Sequence, residues 1–174
     1  MKPHQKTLSL IFAVCAAPFV LAWVAYYFYQ PQSKMNFGTL LPTRPLPALD
    51  TPELDGQWRV VWQQEAHCDA RCTQVRHATA QLRTMTGRDR TRVGRVVLNT
   101  SVRKFDAAEG LLELPMTPEL SKALSTWPEQ RGQVLLIDPL FNQVLVWPVP
   151  ADGQLQVKKM QQDLMRVLKA SKIG

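Results

Sequence analysis

Cysteine is scarce here, and the usual signatures of nucleotide and metal chemistry are missing. Only Cys15, Cys68 and Cys72 occur in the 174 residues. No glycine-rich phosphate loop is present, which excludes the backbone cradle of a nucleotide site. Zinc-ribbon spacing is absent, and so is any paired-carboxylate motif of acid–base hydrolysis. There is no internal repeat and no low-complexity tract, so a solenoid is excluded. Charge of neither sign dominates. The net +7 favours acidic partners or an anionic membrane surface but names neither. No stacking motif accompanies the basic residues, and no nucleic-acid partner is expected.

The chain does contain a charge-free run at 8–28. It is about 21 residues long, enough to cross a bilayer core of roughly 30 Å. Pro18 inside it is tolerated in membrane helices. Lys2 and Lys6 precede it, and Trp23, Tyr26, Tyr27 and Tyr29 crowd its far end like an interfacial aromatic belt. A cleaved signal peptide has a shorter apolar core and a small-x-small cleavage site, whereas this run ends in bulky aromatics. The expected layout is a cytoplasmic tail at 1–7, a single transmembrane anchor at 8–29, a proline-rich spacer at 30–53 and a folded domain at 54–174. The positive amino-terminal flank places the domain outside the plasma (inner) membrane, in the periplasm. That compartment is oxidising, and a close dithiol there tends toward the disulfide unless a reductant serves it.

Within the domain, the aromatic and β-branched run 58–62 predicts a buried strand. Helical spacing of apolar residues predicts a helix over 70–85, stopped by Gly87. Strands are expected at 93–98, 134–137 and 144–147, the last two as a hairpin. Thr117 and Pro118 mark a helix start, and 155–168 reads as an amphipathic helix with a basic outer face. The stretch from Asp106 to Ser125 is otherwise hard to read. The order β, cysteine pair, α, β, α, β-hairpin, α predicts an α/β fold. It is a thioredoxin-like mixed sheet flanked by helices, preceded by one transmembrane helix.

Cys68 and Cys72 sit at the strand-to-helix junction in His67-Cys68-Asp69-Ala70-Arg71-Cys72. If the helix begins at Cys68 or Asp69, the two thiols share one helix face. They can then open and close a disulfide or grip a soft metal such as copper. The helix amino terminus, Arg71 and a protonated His67 favour a thiolate, and Asp69 opposes it. Cys68, nearer the loop, is the expected nucleophile. The bland alternative is a plain stabilising disulfide, worth only about 2 kcal/mol for so short a loop. Either way Cys68 and Cys72 are the candidate catalytic residues, and with His67 they are the candidate metal ligands. His77 is expected on the surface, Trp62 in the core, and Met85 and Met116 as packed core residues. The basic run Arg83, Arg88, Arg90, Arg92 and Arg95 is expected to be a solvated surface.

In these residues the chain resembles the Sco family of membrane-anchored cytochrome oxidase assembly factors. The resemblance rests on the anchor, the Leu-x-Gly-x-Trp entry at 54–58, the Cys-x-x-x-Cys pair Cys68 and Cys72, and the Leu-Ile-Asp-Pro run at 136–139. It implies a thioredoxin-like fold and a role for Cys68 and Cys72 in copper delivery or thiol–disulfide exchange. It further implies cytochrome c oxidase's copper-bearing subunit, or other assembly factors, as partners. Two departures stand out. Asp69 replaces the proline that usually follows the first cysteine. The family's histidine ligand is missing from 127–134, whose nearest polar residues are Glu129, Gln130 and Gln133. A divergent member acting as a thiol–disulfide reductant or a weak copper carrier is the expectation. Two alternatives share the fold: a non-catalytic scaffold of the respiratory membrane, and a general periplasmic oxidoreductase, which usually carries a Cys-x-x-Cys one residue shorter.

Overall fold

The computed structural model describes residues 3–28, 36–46, 49, 51–64, 67–100, 102–125 and 132–171. The chain divides into two compact units, Met1–Met35 and Asn36–Gly174. The first is one helix, α1 (Pro3–Phe28), with Pro18 inside it. Its large apolar side chains, among them Leu8, Phe12, Phe19, Leu21 and Tyr26, are all exposed. A helix that is apolar on every side fits a lipid environment. The span Gln5–Phe28 is long and apolar enough to cross a membrane. The helix also takes in residues expected as tail, while Tyr29 lies outside the described residues.

The second unit opens with β1 (Thr39–Pro45), a single 3-10 turn at Pro52–Leu54 and β2 (Trp58–Gln63). Then come α2 (Ala70–Met85), a 3-10 segment at Gly87–Arg92, β3 (Val93–Asn99), β4 (Lys104–Asp106) and β5 (Leu111–Pro115). α3 (Pro118–Ser125), β6 (Gln133–Ile137), β7 (Asn142–Pro148) and α4 (Val157–Ala170) complete it. The seven strands form one sheet in the order β1-β7-β6-β2-β3-β5-β4. β2, β3 and β5 run parallel, and the other neighbours pair antiparallel. This is the mixed sheet with flanking helices that the element order predicts.

Three strands were not legible in advance. β1 lies in the stretch expected as spacer, so the compact unit starts at Asn36 and not near residue 54. Prolines at 42 and 45 masked it, and they are tolerated because β1 is an outer strand paired only with β7. Leu46 and Leu49 just beyond it are fully buried. β5 lies within the stretch that was hard to read, and β4 ends where that stretch begins.

Strand alternation divides the apolar residues between the two faces. Trp58, Val60, Trp62, Val97, Val134, Leu136 and Trp147 join Val75 and Leu82 of α2 and Met160, Leu164 and Leu168 of α4. Val61, Val96, Leu98, Leu135 and Ile137 face the other way, onto Leu120 and Leu124 of α3 and Leu46, Leu49 and Leu54. The α3 cap is the predicted one, the Leu120 amide donating to Thr117 Oγ1 at 3.1 Å.

Two residues of the expected basic surface lie inside. Arg95 is buried, and its guanidinium donates to the Arg76 carbonyl and to Glu109. Arg83 is buried and donates through Nε to the Val93 carbonyl at 2.7 Å. Desolvation holds both guanidinium groups below their ordinary pKa. Met85, expected in the core, is exposed, while Met116 packs half-buried against the α3 cluster.

The entrance to the sheet is pinned by one carboxylate. Asp163 of α4, 1% exposed, accepts from the amides of Phe37 (3.1 Å) and Gly38 (2.8 Å) and from Trp147 Nε1 (3.1 Å). Arg166 pairs with it at 3.1 Å. Removing it strands three donors away from water. Asp163→Ala is therefore expected to lower unfolding free energy by about 3 kcal/mol or more, read as a shift of the urea midpoint.

Candidate functional site

β2 ends at Gln63, and the Gln64 amide continues its pairing with β3 by donating to the Leu98 carbonyl at 2.8 Å. The cysteine pair stands at the start of α2, with Cys68 ahead of the helix and Cys72 in its first turn. Cys68 and Cys72 form a disulfide, with Cα atoms 5.1 Å apart. Cys68 is exposed and Cys72 half-buried.

The helix begins at Ala70, where the apolar spacing predicted it, and not at Cys68 or Asp69, where both thiols would have shared a helix face. Asp69 is its N-cap, and its carboxylate accepts from the Cys72 amide at 2.8 Å. Thr73 closes the same turn, its amide and hydroxyl both donating to the Asp69 carbonyl. Aspartate is among the best N-cap residues because it satisfies an amide that the helix leaves unpaired. Cys68 thus precedes the helix and Cys72 lies in its first turn. They meet because the chain folds back at the cap, not because they share a helix face. Asp69, read from sequence as an opponent of the thiolate, is the residue that builds the turn.

The disulfide borders a solvent-open cleft of about 110 Å³. Trp62, Gln63 and Gln64 at the end of β2 form one wall, and His67, Asp69, Arg71, Cys72 and Val75 form the second. Gly132 and Gln133, entering β6, and Val149, leaving β7, close the third. That last wall had no local signal in the sequence. It arises from the antiparallel pairing of β2 with β6 and of β6 with β7.

Arg71 ties the walls together. Its Nη2 donates to the Val149 carbonyl at 3.1 Å. Two glycines with positive φ, Gly132 (86°) and Gly153 (76°), pack against it. The positive φ of Gly132 is what demands glycine there; a Cβ would meet only the movable end of Arg71, 2.5 Å from Nη2. Behind the cleft, the Arg95 guanidinium sits 5.7 Å from the centroid of the Trp62 ring. Trp62 is therefore both a core aromatic and a lining residue.

His67 is exposed on the same cleft as Cys72. His77 is exposed, as expected, and lines a separate groove with Gln154 and Leu155. Gln133 reaches the cleft, whereas Glu129 and Gln130 lie outside the described residues. Among the described residues, no group of three or more His, Cys, Asp or Glu side chains converges to hold a metal. The two sulfurs are bonded to each other in this structure, and His67 lies on the same cleft as Cys72. The arrangement can present an exposed sulfur of a disulfide to an incoming thiol.

Comparison with known proteins agrees with the fold. The family described as transmembrane-like, thioredoxin-like, C-terminal domain matches residues 58–171. No curated protein sequence matches the chain. Among solved structures, the Sco1 protein of Thermus thermophilus aligns with a TM-score of 0.54 at 16% identity, covering 78% of this chain and 99% of that one. A SCO1/SenC family lipoprotein of Bacillus anthracis aligns with a TM-score of 0.50 at 12% identity, covering 75% and 93%. A copper-bound ScoI of Arabidopsis thaliana aligns with a TM-score of 0.47 at 13% identity, covering 78% and 99%. At these identities the likeness is one of fold.

The cap carries its own prediction. Asp69→Ala is expected to cost about 1 kcal/mol, and Asp69→Asn much less, in chemical unfolding of the oxidised protein.

Proposed function

The chain belongs to the transmembrane-like, thioredoxin-like, C-terminal domain family, and from that premise we propose that it is a membrane-anchored thiol–disulfide exchange protein. In this reading α1 fixes it in the plasma membrane, its domain faces the periplasm, and it reduces a client during cytochrome c oxidase assembly. The observation that carries the reading is the exposed Cys68–Cys72 disulfide at the foot of α2, opening onto a cleft.

In the reduced protein, the Cys68 thiolate attacks one sulfur of a client disulfide. A Cys68–client mixed disulfide forms and the client's first thiolate leaves. The Cys72 thiolate then attacks Cys68 Sγ, the Cys68–Cys72 bond forms, and the client's second thiolate leaves. Two electrons pass to the client, and an external dithiol reductant restores the pair. Cys68, exposed and ahead of the helix, suits the attacking role. Cys72, half-buried in the first turn, suits the resolving one. The helix amino terminus and Arg71 favour the thiolate, and the Asp69 carboxylate partly offsets them.

Copper enters only as cargo of the related Sco proteins. Once the bridge is reduced, Cys68 and Cys72 offer two soft donors. No third side chain joins them in a cluster among the described residues, and no step is assigned to the metal. Delivery to the copper-bearing subunit would need the remaining ligands from that partner.

Cys72→Ser is expected to accumulate a mixed disulfide with the client in cells, resolved on non-reducing gels, and Cys68→Ser none. The double variant, present at normal levels, is expected to lose most cytochrome oxidase activity. Full activity in that variant would replace the exchange reading with a scaffold that uses only its surface. In anaerobic titration of the reduced protein, tight Cu(I) binding that Cys68→Ser abolishes would favour copper delivery instead.

A further inference from the structure

The positive charge of the domain is concentrated in two elements. The 3-10 segment Gly87–Arg92 and α4 together carry seven lysines and arginines against two acidic residues, Asp89 and Asp163. The remainder of 36–174 carries eleven against twelve and is close to neutral. Asp163 is 1% exposed, and Asp89, half-buried, pairs with Arg92 at 3.2 Å. α4 turns Met160, Leu164 and Leu168 into the core, so helical spacing sends Lys158, Lys159, Arg166 and Lys169 outward, and all four are exposed. Arg92 donates to the Leu168 carbonyl at 3.5 Å, which seats its segment, with the exposed Arg88, against the carboxyl end of α4. Arg90 turns instead to the Ala108 carbonyl.

Two features favour a lipid bilayer over a protein as the occupant of this basic face. Interfaces between proteins centre on aromatic or large apolar anchors. Among the described residues of 87–92 and α4, no large apolar side chain is exposed. Anionic headgroups need only cations within reach. The second feature is the tether. The amides of Phe37 and Gly38 are held by Asp163 of α4, and Lys159 Nζ lies 5.2 Å from the centroid of the Phe37 ring, so the chain enters the domain beside these cations. α1 ends at Phe28, and the eight residues before Phe37 reach roughly 30 Å at full extension. So short a tether keeps headgroups at high effective concentration near α4. We propose that the outer face of α4, with Arg88, docks the domain onto anionic headgroups of the membrane that anchors α1, and so orients the disulfide cleft above the bilayer. None of these five cations lines the cleft. The inference rests on the membrane anchor of the function proposed above and is independent of the exchange chemistry.

The test places the full chain in nanodiscs of phosphatidylcholine, alone or mixed with phosphatidylglycerol. Lysines are acetylated at limiting reagent and read one by one by mass spectrometry. Acetylation of Lys158, Lys159 and Lys169 is expected to slow about fivefold on the anionic discs, the attraction of one lysine at a charged surface. Lys104 on β4 and Lys122 on α3 are the internal controls and are expected to keep their rates. High salt is expected to restore the other three. In the double variant Lys158→Glu, Lys169→Glu, both at exposed positions, the protection of Lys159 is expected to vanish. Equal rates on both kinds of disc, or protection of Lys159 that survives the double variant, overturns the docking while the anchor and the exchange function stand. Lysines shielded in native membranes yet open on anionic discs overturn it in favour of an acidic protein partner. A chain that stays soluble without lipid or detergent overturns the anchor and the docking together.

Discussion

The central strand β2 is held on both edges and covered on both faces. It runs parallel to β3, antiparallel to β6, and five of its six residues are buried. Because it is fixed along its whole length, its carboxyl end is a rigid point, and everything of chemical interest gathers there. The turn into α2 starts from it, the β6 wall is set by its pairing, and Trp62 and Gln64 belong to it or follow it directly. A site at the end of a fully paired strand is placed by the sheet rather than by the mobility of a loop.

Charged groups inside the domain hold the remaining parts in register. Arg59 of β2 is fully buried, yet among the described residues no carboxylate pairs with it by a short bond. Its guanidinium donates to Thr51 Oγ1 and to the carbonyls of Leu54, Gln57 and Asp138, and lies 4.1 Å from the centroid of the Phe141 ring. Desolvation lowers its pKa, with Asp55 and Asp138 opposing. Arg59 thus joins β2, the 3-10 turn before it and the β6–β7 turn. Arg95 does the same between β3 and α2, and Asp163 between α4 and the chain's entry at residues 37–38. Each uses a planar or forked group to satisfy several distant partners at once.

How much of this was readable in advance follows from the kind of signal each part leaves. The strands at 58–62 and 93–98, the helix from 70, the Thr117 cap and the final helix announce themselves through local periodicity. The cysteine junction was visible from spacing alone. β1 was hidden because its two prolines read as spacer and its pairing partner lies about a hundred residues away. The fate of Arg83 and Arg95 was hidden because burial of a cation depends on carbonyls that other elements supply. Likewise the Gly132 and Val149 wall exists only once β6 and β7 have paired. Local chemistry reads from neighbours in the chain, whereas a cleft reads only from neighbours in space.

The outer strands of the sheet bear on how copies of the domain meet. β1 places Pro42 and Pro45 along one margin, and β4 offers only three residues on the other. Proline has no amide hydrogen to lend, and a short margin gives a second chain little to zip onto. Tethering to a bilayer would crowd identical domains into two dimensions, where exposed strand margins invite runaway self-association. Here the prolines and the shortness of the outer strands disfavour that edge-to-edge pairing.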